Sequence, residues 1–421
     1  MPLPGLPDYS KTTATCYGIL LATFIFDAGR FGTFKLSWLD IPMLVWCLCP
    51  LASALTNNDF VPFAGYSPLY DGVARVIDRT ALWGVTYFLG RIYLNSWAGL
   101  RQLAIGIFVG GVVYVPLCVF ESRFSPQLHR IVYGAFASAD FSQTIRLGGF
   151  RPTVFMLHGL AVGAFMMAST LIGLWLWHTN AVKQVRNIPI IWLIGALLVA
   201  VALLRSTGAL ALLVMGIAIM GVGKYLRTAL PILLLIAAMA IYLYINAGTE
   251  IYFSDQLVEF LKQIFPEDRV ASLEFRLNNE ELLVDHARDR LTFGWSGWNR
   301  ARVEVPETGK LAIQDSLWVI ALGENGLVGL ISLFSAMLLP VVALFSWRCP
   351  ARLWTHPQVA PAVGVAITVV LYMLDCILNA MINPIYILAC GGIAGLVLSP
   401  ERKRQPTNRT AIARRYAAQP R

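Results

Sequence analysis

Long apolar segments separated by short polar connections dominate this chain. A helix that crosses a bilayer needs about 20 mainly apolar residues, and eleven segments approach that length: 13–30, 36–55, 79–97, 102–120, 153–177, 188–204, 207–222, 229–246, 324–346, 359–378 and 384–399. One long polar stretch, residues 248–313, interrupts the pattern, which resumes in a return segment, residues 314–330. The pattern therefore predicts an all-α polytopic membrane bundle of about 11–12 spans, with one large helical loop on the outward face.

The same pattern divides the chain into four parts. Residues 1–246 form a transmembrane bundle of about eight spans, and residues 247–323 form the large outward loop with the start of the return segment. Residues 324–400 carry the C-terminal transmembrane helices, and residues 401–421 form a basic tail without an apolar run. Aqueous chemistry is expected at the large loop.

Composition agrees with a membrane protein and excludes an ordinary soluble domain. Of the 421 residues, 57% are hydrophobic and 14% are charged, whereas soluble domains carry about 25% charged residues. The seven cysteines lie in the predicted spans or at their cytoplasmic edges, so no disulfide framework is predicted. The five histidines are scattered without ligand spacing, and neither a metal nor a cofactor is expected.

Basic residues predict the orientation, because cytoplasmic loops carry an excess of lysine and arginine. Such residues recur in one set of connections, namely Lys35, Arg101, Lys183, Arg186, Lys224, Arg227, Arg348 and Arg352. With these in the cytoplasm, loops 56–78 and 121–152 face outward. The net charge of +9 reflects this bias and the tail, so membrane lipids, and not nucleic acid, are the expected partners. An odd number of spans then leaves two alternatives open: one span is miscounted, or a further helix precedes residue 1.

Several arginines on the outward side run against this bias. Arg146 and Arg151 lie in loop 121–152, Arg205 lies in a tight turn between two apolar helices, and Arg276 lies in the large loop. Arginine can hold a phosphate through two parallel hydrogen bonds. Any one of these residues could instead anchor to lipid headgroups, but as a set they favour an anionic ligand.

Four other charged residues are candidates for the same outward cavity. Arg91 and Asp375 lie within predicted spans, and a structural pair between them is favoured over a role in substrate binding. Asp315 precedes an apolar helix, where a carboxylate can cap the helix, act as a general base, or do both. Glu324 ends that short helix and begins a long span.

Three segments together resemble the O-antigen ligase and polysaccharide-polymerase superfamily of bacterial inner-membrane glycosyltransferases. They are residues 146–152, the Arg-Ser-Thr turn at 205–207, and the series formed by Arg276, Phe-Gly-Trp-Ser-Gly at 293–297 and residues 315–330. The resemblance in order and spacing covers roughly residues 80–345. It implies a GT-C-like helical fold in which the large loop roofs an outward cavity.

The resemblance also implies the substrates and the site. The donor would be a polyprenyl-pyrophosphate-linked glycan, and the acceptor a hydroxyl on a lipid or on a growing sugar chain. Arg205 and Arg276 would bind the pyrophosphate with support from Arg146 and Arg151, and no metal would take part. Members that ligate glycan to lipid A core have His-Asn where this chain has Asp315, which is a weaker base than histidine. Lipid A core is therefore disfavoured as the acceptor.

These observations predict a metal-independent, inverting glycosyltransferase that acts at the periplasmic face of the cell inner membrane. It would be a ligase or a polymerase of an exported polysaccharide, with Asp315 as the catalytic residue. The alternative is a secondary transporter of an anionic solute or a lipid-linked sugar. Such a transporter often has two related halves with paired broken helices, and no internal repeat is visible in this sequence.

Overall fold

The computed structural model describes residues 11–57, 68–137, 141–146, 148–249, 258–259, 262–263, 267–297, 299–305 and 309–399. Within these residues the protein is predominantly helical, with fourteen α-helices and two hairpins whose strands are two residues long. The all-α prediction is confirmed. The predicted basic tail at 401–421 lies outside the described residues.

The helices follow one another in the order expected from the apolar segments. The part before the large loop contains α1 (Lys11–Phe26), α2 (Ile41–Thr56), α3 (Pro68–Arg79), α4 (Thr86–Tyr93), α5 (Trp97–Phe124), α6 (Leu128–Tyr133), α7 (Gly159–His178), α8 (Ile190–Leu203), α9 (Thr207–Tyr225) and α10 (Leu230–Gly248). The remainder contains α11 (Glu267–Arg288), α12 (Leu317–Ala343), α13 (Ala360–Leu378) and α14 (Pro384–Leu398).

Short irregular elements connect these helices. Strand β1 (Ile145–Arg146) pairs with β2 (Gly149–Phe150), and β3 (Gln184–Val185) pairs with β4 (Ile188–Pro189), both antiparallel. A π-helical turn at Thr80–Val85 makes α3 and α4 continuous, and a second one, Leu344–Arg348, extends α12. Single 3₁₀ turns occupy Ala28–Thr33, Trp38–Asp40, Phe141–Thr144 and Ala351–Leu353.

The eleven predicted spans all correspond to helical segments, but they differ in length. Among the described residues, seven helices are long and apolar enough to cross a membrane: Trp38–Thr56, α5, α7, α9, α10, Leu317–Arg348 and α13. Three shorter apolar helices are Thr13–Phe26, Ile190–Leu203 and Pro384–Leu398. The protein is therefore a membrane-embedded helical bundle, in which fewer helices than predicted have the full length of a span.

The centre of the bundle is formed by α7 and α13. In each of these helices 83% of the apolar 18-residue stretch is buried, whereas in α10 the buried share is only 22%. Backbones approach closely where glycines meet. A Cβ added at Gly90 of α4 would overlap the carbonyl oxygen of Leu388, and one at Gly391 of α14 would overlap that of Tyr87. Small residues at crossing points are the usual means of packing membrane helices tightly.

The predicted pair between Arg91 and Asp375 is wrong. The Arg91 Nε donates to the Asp40 Oδ1 at 2.7 Å, and its Nη2 donates to the Asp40 Oδ2 at 3.0 Å and to the Lys35 carbonyl at 3.0 Å. The Tyr87 hydroxyl donates to the same carboxylate at 3.0 Å. Arg91 thus clamps α4 to the start of α2, beside Lys35, and does not contact Asp375. Spacing along the chain could not indicate which carboxylate it meets.

Replacement of Arg91 by methionine is expected to lower the free energy of unfolding by about 3–5 kcal/mol, because it leaves the carboxylate of Asp40 buried and unpaired. The measurement is thermal unfolding in detergent. Arg30→Met is the matched control, since the Arg30–Asp27 pair is about half exposed and should contribute about 1 kcal/mol at most. The double variant Arg91→Met/Asp40→Leu should recover most of the loss, and equal losses in the Arg30 and Arg91 variants would contradict the clamp.

Candidate active site

A buried carboxylate organises the loop that carries the first arginines. Glu121, near the C-terminal end of α5, is fully buried. It accepts hydrogen bonds from the backbone N–H groups of Leu128, Thr153 and Val154 at 2.8, 2.8 and 2.7 Å. Val154 has a φ of 50°, which is rare for a β-branched residue. Glu121 thus holds the chain in an unfavourable turn just after Arg151.

The β1–β2 hairpin brings three arginines together. The N–H of Arg151 donates to the Thr144 carbonyl at 2.6 Å. Gly149 has no side chain, and the Arg205 guanidinium occupies the space that a Cβ would fill there. The Arg205 Nη1 also donates to the Arg146 carbonyl at 3.0 Å. One hairpin is therefore the meeting point of the two loop arginines and Arg205. Arg205 is 59 residues away from Arg146 in the sequence.

The turn that carries Arg205 is itself held in place. Arg205 has a φ of 53°, a left-handed conformation that is uncommon for a residue other than glycine. The next residue, Ser206, is buried and is the N-cap residue of α9. It lies against α7, where a Cβ at Gly163 would be 3.2 Å from its hydroxyl. The close packing of α7 and α9 fixes the position of Arg205.

His158, at the N-terminus of α7, lies within the field of three arginines. Burial, followed by the charges of Arg151, Arg276 and Arg146, lowers the pKa of His158 to about 4. The ring Nδ1 accepts a hydrogen bond from the Leu160 N–H at 3.1 Å, so the neutral ring carries its proton on Nε2. Three guanidinium groups that act on one neutral imidazole define a strongly cationic site.

The lowered pKa of His158 makes stability depend on pH. Between about pH 6.5 and about pH 4 the unfolded chain binds a proton at His158 and the folded chain does not. The neutral ring therefore makes its full contribution to the free energy of unfolding above about pH 6.5, and this contribution is lost as the pH falls toward about pH 4. His158→Gln should therefore reduce the drop in melting temperature between about pH 7.5 and about pH 5. His356→Gln, an exposed histidine, is the control, and an unchanged drop in the His158 variant would refute this origin.

Arg276 connects the helix of the large loop to the bundle. From α11 its Nε lies 3.6 Å from the Asp315 Oδ2, and its Nη1 donates to the Asn379 Oδ1 at 3.1 Å. The Asn379 Nδ2 in turn donates to the Asp375 Oδ1 at 2.9 Å. The side chains of Arg276 and Asp315 are 27% and 39% exposed, so both remain accessible to a ligand. Asp375 is thus linked to this site through Asn379.

Asp315 does not cap the helix that follows it. The N-cap position of α12 is Ser316, whose side chain accepts no bond from the helix backbone. Its hydroxyl instead donates to the Glu280 Oε2 at 3.0 Å. The capping alternative for Asp315 is therefore wrong, and its carboxylate faces the Arg276 guanidinium. The role of general base stays a prediction.

Glu280 supports the site from within the protein. It lies on α11, is 7% exposed, and also accepts a hydrogen bond from the Tyr242 hydroxyl of α10 at 2.7 Å. Burial raises the pKa of the Glu280 carboxyl. Glu280 joins α10, α11 and the start of α12, because it accepts hydrogen bonds from both Tyr242 and Ser316.

An apolar cavity of about 590 Å³ adjoins the arginine site. Five helices line it, α9 to α13, and Asp375, Glu280 and Glu281 lie in its wall together with apolar side chains that include Ala211, Leu212, Leu235, Met239, Leu277 and Leu374. The cavity lies beside α10, the least buried of the spans. A cationic site next to an apolar cavity at a loosely packed helix suits a ligand that has an anionic head and a hydrocarbon tail.

Glu324 lies in a different set of contacts. Its carboxylate pairs with Arg79 at 3.2 Å and with Arg75 at 3.6 Å. Two residues later α12 is broken at Gly326, which has a φ of 61°. Backbone groups at 291–296 bond to both sides of the break, including the N–H of Trp295 to Gly323 and that of Leu327 to Leu291. Glu324 thus braces the break against α3 and does not contact Arg276.

Three important residues escaped the sequence reasoning. Arg79 was counted only as the edge of a span, although it is buried, stacks 3.8 Å above the Trp46 ring and binds Glu324. His158 was counted only among the scattered histidines, and Glu280 was given no role in the site. A histidine directly before a glycine that starts an apolar helix was the only signal for His158, and no local pattern distinguishes Glu280 from its neighbours.

The predicted site residues therefore divide into two sets. Arg146, Arg151, Arg205, Arg276, Asp315 and Asp375 belong to one connected region, whereas Arg91 and Glu324 form separate structural clamps. No protein-family model matches this chain, and no curated protein is significantly similar to it.

Proposed function

We propose that the protein transfers a polyprenyl-pyrophosphate-linked glycan to a hydroxyl acceptor at the outer face of the cytoplasmic membrane, as O-antigen ligases and polysaccharide polymerases do. The observation that carries the proposal is geometric: the Arg205 guanidinium meets the hairpin that carries Arg146 and Arg151, and the Asp315 carboxylate lies 3.6 Å from the Arg276 Nε. A cationic site beside a carboxylate suits a reaction in which a pyrophosphate leaves and a hydroxyl loses its proton.

The reaction is a single displacement. The acceptor hydroxyl gives its proton to Asp315 while its oxygen attacks the anomeric carbon of the donor sugar. The bond from that carbon to the phosphate oxygen breaks, and the electron pair leaves with the polyprenyl pyrophosphate, whose added negative charge Arg205 and Arg276 stabilise. The anomeric configuration inverts. Asp315 then releases the proton to water.

The contact between Arg276 and Asp315 suggests how the donor prepares the base. The Asp315 carboxylate faces the Arg276 guanidinium, with 3.6 Å between Oδ2 and Nε. A pyrophosphate that binds Arg276 competes for the same donors, because charge-assisted bonds from arginine to phosphate are strong and bidentate. Donor binding would then turn Asp315 toward the acceptor. His158 can add one hydrogen bond from its Nε2–H.

The neighbouring cavity supports a lipid-linked donor over a water-soluble one. Its volume of about 590 Å³ and its apolar wall suit the first isoprene units of a polyprenyl chain. Since α10 is only 22% buried, the chain could pass from the bilayer beside this helix. The pyrophosphate would then lie where Arg276 joins α11 to Asn379.

The proposal is tested in proteoliposomes that contain a polyprenyl-pyrophosphate-linked oligosaccharide and a hydroxyl-bearing glycan acceptor. The measured products are the extended glycan and the released polyprenyl pyrophosphate. Flux of the donor or of an anionic solute without glycan transfer would favour the transporter. Neither transfer nor flux, with folded protein, would refute both.

Arg205→Lys is expected to lower the rate of transfer about tenfold, because lysine keeps the charge and loses the second parallel hydrogen bond. Arg123→Lys is the matched control, since Arg123 is an exposed arginine at the end of α5. The comparison uses the initial rate of product formation at saturating acceptor. Full activity in the Arg205 variant would count against bidentate binding of pyrophosphate.

A further inference from the structure

A second cationic pocket lies at the opposite end of the bundle from Arg205. Helix α9 separates the two, and its 19 residues span about 28 Å. The pocket has a volume of about 650 Å³ and lies between the ends of α7 and α9 and the connection after α12. His178, Lys224, Arg227 and Arg352 contribute to its wall. These are residues that the sequence marked only as signals of orientation.

The packing of one tryptophan explains why this pocket forms. Trp354 is fully buried, and its ring occupies the space that a Cβ at Gly223 of α9 would fill. Its indole N–H donates to the Cys349 carbonyl at 3.1 Å, and its ring packs 4.8 Å from that of Phe345. The connection is thereby pinned to the end of α9, which brings Arg352 beside Lys224 in the pocket wall.

The charge of the pocket selects an anion. Of the nine described residues that line it, three are lysine or arginine, one is histidine, and none carries a carboxylate. Arg227 has a φ of 52°, so the chain turns sharply at this residue after the end of α9. An uncompensated cluster of this kind attracts a phosphate group.

An apolar groove continues from the pocket along the bundle. This groove has a volume of about 240 Å³, lies between α7 and α9, and shares His178 and Lys224 with the pocket. Ile217 and Gly221 form part of its floor. Trp177 and Tyr225 line the groove and are 44% and 76% exposed, which is typical of aromatic side chains at a membrane interface. A basic pocket joined to such a groove matches an amphiphile better than a soluble anion.

We propose that the pocket and the groove together form a binding site for an anionic phospholipid. The headgroup phosphate would lie between Lys224 and Arg352, with Arg227 at its outer side, and one acyl chain would lie along Ile217 and Gly221. Basic pockets between membrane helices are a recurrent form of lipid headgroup site. The site is independent of the proposed glycan transfer, and by the distribution of lysine and arginine it faces the cytoplasmic leaflet.

The charge is tested with Lys224→Gln/Arg352→Gln in the full-length protein. Binding of phosphatidylglycerol and of phosphatidylcholine is measured by native mass spectrometry after reconstitution in detergent. We expect wild type to prefer phosphatidylglycerol and the variant to bind it at least about tenfold more weakly, the effect of about 1.4 kcal/mol. Lys183→Gln/Arg186→Gln is the matched control, because these exposed residues lie outside the pocket. Equal losses in both variants, or no lipid preference in wild type, would overturn the proposal.

The groove is tested without a change in charge. Gly221→Phe fills the groove, and its Cβ would meet no atom within 4 Å, so the helix should tolerate it. Gly195→Phe on α8 is equally open and lies outside the groove. We expect only the Gly221 variant to lose phosphatidylglycerol while it still binds inorganic phosphate. Retention of the lipid by Gly221→Phe, with a melting temperature equal to that of the control, would show that the groove does not hold the acyl chain and would refute the lipid assignment.

Discussion

Asp315→Asn is expected to lower the rate of glycan transfer by about 100- to 10,000-fold, the range over which a general base contributes. Asparagine keeps the size of the side chain and its ability to accept a hydrogen bond, but it does not take a proton at neutral pH. The N-cap of α12 is Ser316, so the loss should not arise from an uncapped helix. The initial rate of polyprenyl pyrophosphate release measures the effect directly.

The control for this variant is Asp285→Asn. Asp285 lies on α11, its side chain is 60% exposed, and its partner is Arg288 at 2.6 Å, so it has the same chemistry outside the site. Full activity is expected in this control. If Asp315→Asn retained most of the transfer rate, the role of base would be refuted, and charge stabilisation by the arginines would remain as the source of catalysis.

Arg276→Ala is expected to lower transfer by about 100- to 1,000-fold, the loss typical of removing one group that stabilises a developing negative charge. Arg276 is the arginine that contacts both the proposed base and the bundle, through Asp315 and Asn379. Arg276→Lys should recover part of the rate because the charge is kept. Rates and donor affinity are measured separately, since loss of a transition-state contact lowers kcat more than it raises KM.

A purely structural role for Arg276 would give a different result. Asn379→Ala removes the polar link between Arg276 and Asp375 but leaves the guanidinium in place. If Arg276 served only to fasten α11 to α13, both variants would lose similar activity, and lysine would not help. A smaller effect of Asn379→Ala, with similar melting temperatures for the two proteins, is the expected outcome.

The helical segments were predictable because bilayer-spanning sequence is locally encoded. Each needs a run of apolar residues, and every predicted run is helical. The lengths of the helices were less predictable, because where a helix begins and ends depends on its packing against other helices as well as on its hydropathy. The segment at 79–97 illustrates this: it divides into a π-helical turn and α4, and it continues the polar helix α3. The end of a short helix at Glu324 was predicted, but the break at Gly326 and the backbone bonds to residues 291–296 that accompany it were not.

The contacts of the arginines could not be predicted from the sequence. The alternation of loops predicts an outward position for these residues, but their partners depended on contacts between distant segments. Arg205 reaches Arg146 across 59 residues, and Arg276 reaches Asn379 across 103. A pair between Arg91 and Asp375 was predicted, and Arg91 instead meets Asp40.

By itself the sequence determined the membrane character, the order of the helices and the set of arginines outside the main basic loops, because hydropathy and charge act along the chain. Only the tertiary structure decided which arginines share a site, that Asp315 faces Arg276, and that Lys224 and Arg352 border one pocket. Ion pairs and pockets depend on distances of a few ångströms between helices, and glycine contacts such as those of Gly149 and Gly223 set those distances. Such contacts produce no periodic pattern in the sequence, so the sequence alone does not predict them.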